Sequence, residues 1–179
     1  MLQPADAVHA YIRAKDGNRP HLLEDAFVAD AELRMVVQTA AIAFPPVTSG
    51  RSAIADTLVR RFNQTYENIY TLCIGEPPSK TADSFTCGWL VAMSEKQDGA
   101  VRLGCGRYDW SFSAPGHEVR ALTITIAAME TMPAETLAPV MGWISALPYP
   151  WCLARLLSSN APNIEQVQHV LHELPRACA

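Results

Sequence analysis

The 179 residues are 49% apolar and 18% charged with a formal net charge of -4, the make-up of one ordinary globular domain with enough chain to bury a sizeable core. Nucleic-acid binding is not expected, because phosphate recognition needs clustered Lys and Arg, and only Arg60 and Arg61 stand side by side. No uninterrupted apolar run approaches the roughly 20 residues that cross a bilayer, and the opening MLQPADAVHA lacks the basic and apolar regions of a signal peptide, so no membrane role and a cytoplasmic location are expected.

Val8, Tyr11 and Ile12 share a face at helical spacing, and after the break at Asp16-Gly17-Asn18 so do Leu22, Leu23, Ala26 and Phe27. Ala31, Leu33, Met35 and Val37 then alternate with Glu32, Arg34 and Gln38, the period of a strand. The connection from Thr39 to Val47 is unusually apolar, and a loop of that kind is expected to be a lid or an interface element rather than to face water. Gly50 or Ser52 then caps a helix whose buried stripe is Ile54, Leu58 and Phe62.

Four strand-like runs follow, Asn68 to Ile74, Ser84 to Ser94, Val101 to Ala114 and Val119 to Met129. Turn-forming Gly75-Glu76-Pro77-Pro78, Gln97-Asp98-Gly99 and Pro115-Gly116 separate them, which predicts successive antiparallel hairpins. In the third run Gly104, Gly106, Tyr108, Trp110 and Phe112 share one face, read as inward, opposite Cys105, Arg107, Asp109 and Ser111. Glycine in a strand interior marks either a sharp bend or room for a ligand. In the fourth run Leu122, Ile124 and Ile126 oppose Thr123 and Thr125.

Pro133 to Leu147 reads as a helix, Pro148-Tyr149-Pro150 as a rigid elbow and Trp151 to Leu157 as a second helix. Asn163 caps a third, with Ile164, Val167, Val170, Leu171 and Leu174 on its apolar face. Cys73, Cys87, Cys105, Cys152 and Cys178 show no C-x-x-C spacing and are expected to be buried, reduced thiols. His9, His21 and His117 read as solvated or capping residues, and His169 and His172 as too few ligands for a metal site. No cofactor is implied.

Tyr11 in the first helix, the short polar break, the Ala26-Phe27-Val28-Ala29-Asp30-Ala31 run into the first strand and Gly50-Arg51-Ser52-Ala53-Ile54 at the third helix occur in a telling order. In that order, residues 4 to 130 resemble the opening of the nuclear transport factor 2-like superfamily, which also holds steroid delta-isomerases, scytalone dehydratase, limonene epoxide hydrolase and SnoaL-like polyketide cyclases. The resemblance implies an α+β fold: a strongly bent antiparallel sheet wrapped around N-terminal helices into a cone with an internal pocket. Residues 1–130 would form that domain, and residues 131–179 a C-terminal helical extension packed on it. It also implies a homodimer through the outer sheet face, to which Leu90, Ala92, Cys105, Thr123 and Thr125 would contribute.

Laid on this chain, the steroid isomerases' first-helix tyrosine falls on Tyr11. Their general-base aspartate falls on Met35, and their protonated aspartate near Tyr108. A thioether cannot take a proton from carbon, so that isomerase chemistry is not expected. The epoxide hydrolase's Asp-Arg-Asp arrangement is not matched either, because Arg34, Arg107 and Asp109 alternate outward. What remains is a cavity wall of Tyr11, Met35, Trp89, Val91, Tyr108, Trp110, Leu122 and Ile124, although aromatic packing alone would place the same residues. Two functions stay open: binding of a small, largely apolar molecule in the cone, or a lyase, isomerase or hydrolase of the SnoaL-like type on a polyketide-, terpenoid- or steroid-like substrate. In the second, Tyr11 or Tyr108 would polarise an oxygen, and His9 or Asp109 would supply the base.

Overall fold

In the computed structural model, which describes residues 2–178 with side chains through residue 176, the first helix is α1 (Pro4–Asp16). Pro4 pre-sets its first turn, Gln3 and Asp6 form a reciprocal capping box, and Arg13 and Lys15 oppose the dipole at its end. Its buried face holds Ala7, Val8, Tyr11, Ile12 and Lys15. The expected second helix is a single 3-10 turn, Pro20–Glu24, and Phe27 already opens strand β1 (Phe27–Val37). Pro20 allows a tight turn here, but Phe27 is drawn into the sheet, where its ring meets Tyr11 edge-on at 5.9 Å between centroids.

A short β2 (Val47–Ser49), absent from the sequence reading, hairpins onto β1 and leads through Gly50 at φ 89° into a continuous helical segment. That segment runs as α2 (Arg51–Ala55), a π turn (Asp56–Arg60) and α3 (Arg61–Thr65). The π turn holds Leu58 and Val59 buried, with Phe62 just beyond it, and Asn63 Nδ2 donates to Val59 O and Lys15 O to tie the segment to α1.

The four later strands form the antiparallel meander expected: β3 (Tyr66–Ile74), β4 (Ser84–Glu95), β5 (Val101–Phe112) and β6 (Val119–Met132). The sheet order is β2-β1-β6-β5-β4-β3-β7, with β1 joining β6 in parallel. Strand β7 (Trp151–Cys152) replaces the start of the helix expected over Trp151 to Leu157, of which only α5 (Ala154–Leu157) is helical. The edge of β3 decides this outcome: Cys73 N donates to Pro150 O at 2.6 Å and Gly75 N to Cys152 O at 2.9 Å, which covers an otherwise open strand edge. The helix expected from Pro133 is a 3-10 turn (Ala134–Thr136) followed by α4 (Leu137–Ile144), and α6 (Glu165–Cys178) is the last described element.

The sheet separates two apolar layers. On its inner face α1 and the α2–α3 segment pack against Leu33, Met35, Trp89, Tyr108 and Ile124. On its outer face α4 and α6 cover Leu72, Leu90, Ala92, Leu103 and Cys105 with Val140, Trp143, Val167 and Val170. This corrects the surface expected for self-association. Leu90, Ala92 and Cys105 are fully buried beneath the chain's own helix, where Cys105 Sγ lies 3.5 Å from Val170 O. Thr123 lies beyond that cover, beside Arg34 in the β1–β6 register, and Val36 is 44% exposed, whereas Thr125 is itself buried. Cys73, Cys87, Cys105 and Cys152 are buried thiols as expected, while the side chain of Cys178 lies outside the described residues. Among the described residues no helix is long and apolar enough to cross a membrane.

Candidate functional site

The sequence-read residues converge inside the bent sheet because strand alternation aims them there. Met35 stands on β1, Trp89 and Val91 on β4, Tyr108 on β5 and Ile124 on β6, and α1 brings Tyr11 across the opening they form. These six residues border a cavity of about 40 Å³. Trp110 and Leu122 do not border it. They pair across β5 and β6 behind the aromatic group, where Trp110 stacks edge-on against Tyr11 at 5.5 Å and Leu122 is fully buried.

Several lining residues escaped the sequence reading. Lys15 stands one helical turn beyond Tyr11 on the same face, a spacing that could have revealed it. Met93 and Ile126 extend their strands' inward alternation by one step. Met129 was hidden by a bulge, since Cys105 faces Ala128 while Gly106 faces Ile126, so Ala127 is the extra residue and the alternation of β6 reverses there. The same irregularity answers the glycine question. A Cβ on Gly106 would strike Thr125 O and the Trp89 indole, and one on Gly104 would meet the Met129 side chain. The space that both glycines leave is filled by neighbouring protein atoms, so they serve the bend and its packing rather than a ligand.

Tyr108 sits among Trp89, Tyr11 and Trp110 at 5.7, 6.0 and 5.2 Å between ring centroids. Burial pushes the Tyr11 and Tyr108 phenols above the ordinary tyrosine range, Tyr108 well above it, and each hydroxyl acts on the ionisation of the other. Lys15 is buried, its side chain 7% exposed, and held: Nζ donates to Thr71 Oγ1 at 2.6 Å and to Asp16 Oδ1 at 2.8 Å, and lies 4.9 Å from the Phe62 ring centre. Asp16 is fully engaged, accepting also from Thr71 N, Thr71 Oγ1 and Tyr149 Oη. Trp89 Nε1 and Trp110 Nε1 are buried with no acceptor.

The apolar connection after β1 closes the cavity. Ile42 and Phe44 turn inward and line it, while Ala41, Ala43 and Pro45 are exposed. Its ends are pinned by Gln38 N to Ile126 O and Met35 N to Pro46 O, both 2.9 Å. Near its middle Arg102 Nη1 donates to Ala41 O at 2.8 Å, with Arg102 itself held by Glu95 at 2.6 Å. Behind the loop a cleft of about 270 Å³ separates it from Thr57, Arg61 and Tyr66.

None of the five histidines borders the cavity. His9 lies in a surface groove with Arg13 and Arg19, His169 Nδ1 meets Glu130 at 2.8 Å, and His172 meets Arg176 at 3.3 Å. Arg107 and Asp109 pair with each other at 2.9 Å and are about one-third exposed, on the outward side expected. Arg34 likewise pairs outside with Glu32.

This backbone matches solved structures. A Burkholderia thailandensis NTF2-like protein superposes with a TM-score of 0.53 at 12% identity, over 73% of this chain and 92% of that one. The fold is that of the nuclear transport factor 2-like superfamily. A Catenulispora acidiphila protein with a ketosteroid isomerase-like fold, solved with trimethylamine, matches with a TM-score of 0.52 at 18% identity, over 66% of this chain and 83% of that one. A computationally designed 17-OHP binder matches at 0.54 and 12% identity, over 73% and 98%. No family model and no curated protein matches the sequence.

Proposed function

We propose that this nuclear transport factor 2-like fold binds a small, largely apolar molecule in its cone, with the loop that carries Ile42 and Phe44 moving aside to admit it. The observation that carries the reading is the composition of the wall. It is aliphatic, aromatic and methionine-rich, with two phenols, one indole and one lysine as its polar groups, the mixture typical of ligand sites. As closed, about 40 Å³ holds only a few waters, so a ligand would take the place of the Phe44 and Ile42 side chains. The open cleft behind the loop gives the backbone somewhere to go, and Met35, Met93 and Met129 are side chains that adapt readily to a new occupant. A designed protein on the same fold is a 17-OHP binder, which supports the capacity of such a cone for an apolar guest.

Binding is favoured over catalysis because the wall offers no carboxylate or imidazole to move a proton, and Lys15 is committed to Asp16 and Thr71. A two-fold dimer would use the Val36 and Thr123 part of the outer face, since Leu90, Ala92 and Cys105 lie under α6. Native mass spectrometry of freshly purified protein tests the reading, with any passenger released by denaturation and weighed, and with isopropenylbenzene offered to the empty chain. A defined apolar passenger or uptake of the probe is expected. An empty chain that refuses both this hydrocarbon and its ketone counterpart, acetophenone, overturns the proposal.

A further inference from the structure

The polar groups around the cavity do not balance. Trp89 borders it, is 4% exposed, and its Nε1 proton has no acceptor. Tyr11 and Tyr108 bring two hydroxyl protons that can serve at most one hydrogen bond between them, so at least one proton is left over. Lys15 has three protons: Thr71 and Asp16 take two, and the third has only the face of Phe62 nearby. Among the described residues no carboxylate, amide or imidazole side chain lines the space. Buried polar groups left without partners are costly, and those of this cavity are in surplus on the donor side.

We infer that the ligand is a neutral molecule with an acceptor oxygen, a ketone, ester or lactone, whose oxygen meets Trp89 Nε1 while its hydrocarbon part replaces the Phe44 ring. The inference rests on the binding reading above and sharpens it to a chemical class. Trp89 is the anchor because each phenol oxygen can also accept, whereas an indole can only donate and this one has no partner. An amine is excluded twice, since it brings further donors and its charge would sit near the Lys15 ammonium. A carboxylate is also disfavoured: Asp16 already neutralises Lys15, so an anion would enter an apolar space without its own counter-charge.

Three molecules of one size and shape decide it: acetophenone, isopropenylbenzene, in which a methylene replaces the oxygen, and phenylethylamine. Binding is measured by calorimetry, and the indole N–H resonances are followed by NMR, with Trp89 assigned from Trp89→Phe. Acetophenone is expected to bind about tenfold more tightly than isopropenylbenzene, the return for satisfying one buried donor, and to shift the Trp89 N–H signal; the amine is expected not to bind. In Trp89→Phe the ketone and the hydrocarbon should bind within about twofold of each other, as expected when that hydrogen bond is lost. Equal affinity of the ketone and the hydrocarbon for the native protein overturns the inference and leaves the binding site standing. An unmoved Trp89 resonance on ketone binding, or amine binding as tight as the ketone's, also overturns it. Refusal of all three removes the binding reading and this inference with it.

Discussion

Trp143, beneath the outer face of the sheet, donates its indole N–H to Leu157 O at 3.1 Å, whereas Trp89 and Trp110 on the inner face donate to nothing. The contrast extends to the layers around them. The outer layer is closed by Val140, Val167, Val170 and Leu174 on helices against Leu72, Leu90 and Leu103 on strands, nearly all without exposed surface. The inner layer holds a void, three methionines, a buried lysine and a cover made of loop. Native interiors rarely leave polar groups unpaired or space unfilled unless something else gains by it. The comparison teaches that one sheet can separate a layer whose strand side chains are filled in by helices from a layer that keeps a small void and unmet hydrogen bonds.

The harshest way to break the inner layer is through its ion pair. Asp16→Ala leaves Lys15 buried without its counter-charge and strips acceptors from Thr71 and Tyr149, and a loss of about 3 to 5 kcal/mol is expected on the precedent of broken buried pairs. Urea unfolding measures it, and adding Lys15→Met should recover part of the loss by removing the stranded charge. The outer layer is tested by Leu103→Ala, fully buried between the sheet and its covering helices. A loss of about 3 kcal/mol is expected for a well-packed leucine. A loss below about 1 kcal/mol, well under the range for leucines that leave a cavity, would show that the outer layer is as loosely filled as the inner one.

Alkali sharpens the contrast next, because the buried phenols Tyr11 and Tyr108 belong to the inner layer alone. Burial raises both above the ordinary value, so the folded chain keeps their protons after the unfolded chain has begun to lose them. The share of stability that these two phenols contribute is therefore intact below about pH 10 and is lost as the pH rises past it, by up to about 1.4 kcal/mol per pH unit for each phenol. Unfolding midpoints measured on either side of that value should fall for the native chain and less so for Tyr108→Phe.

The fold was legible in the sequence wherever periodicity was long. The meander, the alternation of β1 and the faces of α1 and α6 follow from residues such as Leu33, Met35, Tyr108 and Val170. It was illegible where tertiary demands overrode local pattern. Trp151 and Cys152 look helical but are taken by the bare edge of β3, and Phe27 leaves a helical stripe for the sheet. The cavity shows the same division: strand alternation places Trp89, Val91 and Ile124, but Met129 waits on a bulge and Phe44 on a loop whose inward turn no period announces. That Leu90, Ala92 and Cys105 lie under α6 and not against a second subunit was equally invisible, since an amphipathic helix shows that it must be buried and not against what.

The smallest and most discriminating effect comes from making one substitution in both layers. Trp143→Phe and Trp89→Phe remove the same atoms from rings about equally buried, at 5% and 4% exposure, so the loss of packing is similar in the two variants. They differ in the hydrogen bond. Trp143→Phe deletes a made bond and strands Leu157 O in the interior, whereas Trp89→Phe deletes a donor that had no partner. The outer variant should therefore be less stable than the inner one by about 1 to 2 kcal/mol, the cost of an unsatisfied buried group, read as a difference in urea midpoints at equal slope. Equal losses would mean that Trp89 Nε1 is satisfied in solution, by a trapped water for instance, and the inner layer would then carry no deficit for a ligand to repair.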